Sequence, residues 1–121
     1  MNTPDLERII INALEDIKAR DIEVIDTSHL TSHFERIIVA SGDSGRQTRA
    51  LARNVLDCLH TAGVKVLGIE GEENGEWVLV DLGEIVVHVM QPAIRAYYRL
   101  EELWTAPLPR NIATAKNTTE A

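Results

Sequence analysis

The period of the apolar positions changes along the chain, and each change marks an element. Leu6, Ile9, Ile10, Ala13, Leu14 and Ile17 recur at helical spacing and make one apolar face. Thr3-Pro4-Asp5 suits the start of that helix, with Thr3 as cap, Pro4 at the first helical position, and Asp5 and Glu7 at the positive end of the dipole. Lys18 and Arg20 close it with charge of the right sign, and Ile11 lies off the apolar face. Residues 22–26, "IEVID", alternate and predict a strand. "TSHLTSH" is loop by composition, and Arg36–Ser41, "RIIVAS", predicts a buried strand. Helical spacing returns over residues 44–62, with Leu51, Ala52, Val55, Leu59 and Ala62 turned inward. Ser44 and Gln47 form a capping-box pattern at its start, and Gly63 is placed to end it. Residues 65–70, "KVLGIE", predict a third strand.

Residues 75–90, "GEWVLVDLGEIVVHVM", hold two β-rich runs flanking Leu82-Gly83, which predicts a tight hairpin. With that pair as the loop, Asp81 faces Glu84, Leu79 faces Val86, and Trp77 faces His88. One face then carries Val78, Val80, Ile85, Val87 and Val89. The other carries Trp77, Leu79, Asp81, Glu84, Val86, His88 and Met90, a mixture of apolar and charged groups. Residues 92–104 predict a last helix, and residues 105–121 have little to bury and are expected to form a disordered tail. The α-β-β-α-β-β-β-α order predicts an α/β (α+β) domain over residues 1–104, a mixed five-stranded sheet flanked by helices.

Composition narrows the function classes. With 121 residues, 45% apolar and 26% charged, the chain fits one globular domain. No apolar run approaches the ~20 residues of a membrane span. The start lacks a basic segment followed by an apolar block, and Cys58 is the single cysteine, so a cytoplasmic, reducing setting is expected. Net charge is −7, and the basic residues are scattered, which disfavours a direct grip on nucleic acid but is compatible with docking onto a basic protein partner.

Candidate chemistry is sparse. "SGDSGRQ" from Ser41 runs from a strand into a helix N-terminus and raises the alternative of a nucleotide- or phosphate-handling enzyme using the Ser41–Arg46 loop. It lacks the Gly-Lys-Ser/Thr ending of a P-loop, Asp43 would repel a phosphate, and the following strand offers only Glu70 for magnesium. A plain strand-to-helix turn is the favoured reading, with no cofactor. His29 and His33 are four apart but sit in loop-like sequence without a third ligand, so no metal is expected. Cys58 reads as a small buried thiol. Asp81 and Glu84, beside a turn, read more simply as solvated charges than as an acid–base pair. The informative feature is the mixed hairpin face. It combines groups costly to leave in water with groups costly to bury, as a partner-docking surface does, unless a helix covers it.

Taken together, the small-Ser-Gly loop followed by Arg46-Gln47, "GEWVLVDLGEIVVHVM", and the closing "YYRLEELW" resemble the ribosomal silencing factor family, also called Iojap, over residues 6–104. The resemblance implies a nucleotidyltransferase-like fold without the catalytic residues, and hence a non-enzyme. It implies binding to the large ribosomal subunit through its fourteenth ribosomal protein, at the intersubunit face. Such binding blocks joining with the small subunit and lowers translation under nutrient limitation. Homodimer formation is a further implied property. Trp77, Asp81, Gly83 and His88 fall on the family pattern, as do Tyr98, Leu100 and Trp104. One departure stands out: where members usually carry Asp-Tyr-Phe, this chain has Glu35-Arg36-Ile37. An aromatic is lost at Arg36, and if it touches the partner, affinity should differ. A free-standing dimerisation module is a third reading, compatible with the residues but not with the resemblance.

Overall fold

A computed structural model describes residues 2–99. Three helices and five strands follow in the order α1 (Thr3–Asp16), β1 (Arg20–Asp26), β2 (Arg36–Ser41), α2 (Gly45–Thr61), β3 (Gly68–Glu70), β4 (Trp77–Asp81), β5 (Ile85–Met90) and α3 (Pro92–Tyr98). The strands form one sheet in the order β1-β2-β5-β4-β3. The β2–β5 pair is parallel, and the other three pairs are antiparallel. This is the mixed five-stranded α+β architecture that the periodicities predict. α3 ends at Tyr98, where Arg99 turns into the left-handed region at φ 48. The remainder of the expected helix, residues 100–104 with Leu100 and Trp104, and the tail 105–121, lie outside the described residues.

Both long helices lie on one side of the sheet. Leu6, Ile10, Ala13 and Leu14 of α1, and Leu51, Ala52, Val55 and Leu59 of α2, pack with Ile38, Ala40, Val78, Val80, Ile85, Val87 and Val89 in the main core. Ala62, expected to face inward, is exposed, since it caps α2 where the chain turns away. The helix ends are built locally. Asn2, not Thr3, caps α1 by accepting from the Asp5 N–H, which frees Thr3 to be buried with its hydroxyl donated to the Glu35 carboxylate. Lys18 takes φ 61 beyond the end of α1, and the Lys18 and Ala19 N–H groups bond back to Glu15 and Leu14. Lys18 therefore ends α1 through its backbone rather than through charge in the last turn. Gly63 ends α2 by the same motif at φ 77, and Val64 N–H reaches the Leu59 carbonyl.

The hairpin register differs from expectation. Leu82 N–H donates to the Ile85 carbonyl, so the two-residue loop is Gly83-Glu84 rather than Leu82-Gly83. Gly83 sits at φ 87, a backbone that glycine adopts without strain. Moving the loop by one residue moves every pair by two: Trp77 opposes Met90, Leu79 opposes His88, and Asp81 opposes Val86. A shift of two preserves side-chain parity, so the division into two faces stands.

Candidate docking face

The side of the sheet away from α1 and α2 carries the mixed residues. Ile25, Ile37, Val39 and Met90 form a second, smaller buried cluster, against which Phe34, Trp77 and Ile94 pack. α3 crosses this end: Ile94 joins the cluster, and the Tyr98 ring lies 4.9 Å from the Trp77 ring. The covering-helix reading thus holds at the Trp77–Met90 end. Met90 is 0% exposed, so its assignment to a docking surface is corrected: it is a floor for Trp77 and α3.

Trp77 and His88 meet, but diagonally across β4 and β5 rather than as register partners. The indole Nε1–H donates to His88 Nδ1 at 2.9 Å. An indole nitrogen is a donor only, so this bond requires the lone pair on Nδ1 and a neutral ring with its proton on Nε2. His88 is 9% exposed, while Trp77, Leu79, Asp81 and Val86 are half-buried and Glu84 is exposed. Asp81 has a local task as well, since its Oδ1 accepts from the Gly83 N–H at 2.8 Å and fixes the loop. Glu84 lies at the hairpin tip, with Oε2 3.4 Å from the Thr3 hydroxyl, and its carbonyl receives the Glu35 and Arg36 N–H groups. The wet part of this face is therefore Leu79, Asp81 and Val86, edged by Trp77 and Tyr98, with Glu84 at the hairpin tip and its carboxylate toward α1. In the rows of the sheet through Leu79 and His88, the outer strands add Glu70 and Glu23, so the rim is acidic.

Arg36 points the other way. Its guanidinium pairs with Asp26 at 3.0 Å and Glu7 of α1 at 3.4 Å, joining β1, β2 and α1 on the helix-covered side. The departure from the family pattern at this position thus leaves the mixed face untouched. It also sits beside Asp26, whose carboxyl is held below its ordinary pKa by the Ser28 hydroxyl and then the Ser28 N–H, with Arg36 adding to the effect.

The glycine-rich loop is occupied by its own chain. Ser44 Oγ accepts from Gln47 N–H, and Gln47 Oε1 accepts from the Asp43 N–H, one residue before the capping-box position. Gly42 N–H is given to Met90 carbonyl, and the Asp43 carboxylate is paired with Arg20 at 2.7 Å. Gly45 and Gly75 touch: a Cβ on Gly75 would stand 2.7 Å from Gly45 Cα. The glycines here serve close backbone contact between the start of α2 and the β3–β4 connection, and Thr48 Oγ1 donates to the Gly75 carbonyl in the same place. His29 and His33 lie exposed in the β1–β2 connection, and Cys58 is half-buried on α2. Among the described residues no group of three or more His, Cys, Asp or Glu side chains is arranged to hold a metal ion, and no helix is long and apolar enough to cross a membrane.

Sequence reasoning missed Arg95. Its guanidinium donates to the Asp21 carbonyl at 2.6 Å and to Ser41 Oγ at 2.9 Å, tying α3 to β1 and β2. The only sequence signal was a basic residue within a short helix.

Comparison with known proteins places this arrangement. A family model described as "Ribosomal silencing factor during starvation" matches residues 1–121. A ribosomal silencing factor of Chromobacterium violaceum is 55% identical over 109 residues, covering 90% of this chain and 89% of that protein. A crystal structure of a protein from the same organism superposes with a TM-score of 0.86 at 55% identity, covering 90% of this chain and 91% of the other. A mouse protein named "Mitochondrial assembly of ribosomal large subunit protein 1" is 33% identical over 103 residues, covering 80% of this chain and 44% of its own length. The chain belongs to the ribosomal silencing factor family.

Proposed function

We propose that this protein is a translation repressor, not an enzyme, that binds the large ribosomal subunit through its fourteenth ribosomal protein. Seated at the intersubunit face, it blocks joining with the small subunit and lowers translation when nutrients are short. The observation that supports this most is the sheet face opposite α1 and α2. It is half-covered, apolar at Leu79 and Val86, aromatic at Trp77, and rimmed by Asp81, Glu70 and Glu23, with Glu84 at the adjoining hairpin tip. Apolar anchors inside an acidic rim suit a basic protein partner, with the rim steering the approach and the anchors slowing dissociation. His88 acts beneath the surface by fixing the Trp77 indole. Membership of the silencing-factor family and the large-subunit name of the mouse relative support the same reading. Against the phosphate-handling alternative stand the loop N–H groups already given to Gln47 and Met90.

Cosedimentation with purified subunits tests the proposal. The wild-type protein should travel with large subunits and not small ones, and it should pull down the isolated fourteenth protein. Val86→Asp, on the wet part of the face, should lose both without loss of fold. Binding to large subunits that survives Val86→Asp and Leu79→Asp would move the docking surface elsewhere.

A further inference from the structure

We infer that Arg95 is a positioning residue that sets the pose of Trp77, and that the bulge in β1 exists to hold it. This rests on the docking role given to Trp77 above. The β1–β2 register advances three residues on β1, Arg20 to Glu23, against two on β2, Ser41 to Val39. The extra residue makes a bulge, a device that re-aims backbone groups at a sheet edge. Asp21 lies in it at φ 50, a left-handed conformation that non-glycine residues seldom adopt. Its carbonyl receives the Arg95 guanidinium at 2.6 Å, and the same nitrogen reaches Ser41 Oγ, at the end of β2, at 2.9 Å.

α3 needs such a clasp. It is seven residues long, none of them buried, and Gln91 makes no side-chain cap at its start. A helix this short has no stability of its own and takes its place from side-chain anchors. Ile94 packs on the small cluster, Arg95 grips the bulge, and three residues on, Tyr98 stands against Trp77. Tyr98 stands against the indole, which packs on the cluster holding Met90 and donates its N–H to His88. A clasp that sets the angle of α3 therefore sets Tyr98, and Tyr98 sets which edge of Trp77 faces outward. Through this relay, Arg95 acts on docking without standing on the wet part of the face.

The indole N–H resonances of the two tryptophans test it, with Trp77 assigned from Trp77→Phe. Arg95→Ala and Ser41→Ala should each shift the Trp77 signal, and the double variant should shift it by less than the sum, because both remove one clasp. Asp21→Asn should leave the signal in place, since the clasp uses the carbonyl and asparagine tolerates the same backbone. Affinity for large subunits should weaken by about fivefold in Arg95→Ala, the size usual for coupling between contacting groups. A Trp77 signal unmoved in both Arg95→Ala and Ser41→Ala overturns the positioning role. A signal that moves while affinity stays unchanged upholds the clasp and overturns the docking role of Trp77 instead.

Discussion

At the scale of single residues, the proposed function gives Trp77 two tasks, anchor and structure. Its half-burial, its bond to His88 and its contact with Tyr98 mean that truncation costs both binding and stability. Trp77→Ala should abolish large-subunit binding and lower stability by about 1–3 kcal/mol, less than the ~3–5 kcal/mol of a fully buried tryptophan. Thermal melting run beside a binding assay checks this, and a full core-sized loss would place Trp77 in the core alone. Trp77→Phe isolates the polar contact. It removes the indole donor to His88 Nδ1 and should lower stability by about 1 kcal/mol, the usual net worth of one hydrogen bond. Asp26 gives a pH-dependent test. Its pKa is lowered by Ser28, so its contribution to stability is present above its unfolded value and is lost as pH falls through the folded one. In Ser28→Ala, NMR titration should find the Asp26 midpoint moved upward, toward the ordinary carboxylate value.

At the scale of elements, the start of α2 is held twice. Ser44 caps it, and the Gly45–Gly75 contact seats it against the β3–β4 connection. Ser44→Ala should cost about 1 kcal/mol in denaturant melts, the usual worth of a cap. Gly75→Ala should cost more, because the new Cβ meets backbone and the residue sits at φ 70. The order of these two effects is the check: a larger loss at Ser44 would mean that the connection yields easily. The same packing leads to a binding prediction. Calorimetry with magnesium and nucleoside triphosphate should show no saturable heat, since the loop's own chain takes the groups a phosphate would need.

At the scale of the molecule, a net charge of −7 would draw this chain toward the proposed basic partner through a long-range field. Glu84 stands exposed at the hairpin tip, beside the proposed face. Glu84→Lys should slow association with large subunits at low salt and change dissociation less, read by stopped-flow or surface-based kinetics. An unchanged association rate would remove Glu84 from the approach path. The asymmetry of the sheet makes this geometry available: among the described residues, α1 and α2 pack on one side, and α3 lies at one end of the other.

The amino-acid order alone determined what depends on local period. Helical spacing placed Leu6 through Ile17 and Leu51 through Leu59 inward, and alternation divided the hairpin into an apolar and a mixed face. Ser44 and Gly63 marked the ends of α2 because caps are made within a few residues. Tertiary structure decided what depends on contacts between distant segments. Glycine can occupy either central position of a two-residue turn, so the pattern around Leu82-Gly83-Glu84 could not fix the register. The buried Leu82, paired with Ile85, fixed it. Met90 looked like its neighbours on the mixed face until α3 and β2 closed over it. Arg36 stood beside the family motif in sequence, yet strand parity sent it to Glu7 and Asp26 on the opposite side. Arg95 gained its place only when a bulge 74 residues away turned a carbonyl toward it, a contact that no local spacing encodes.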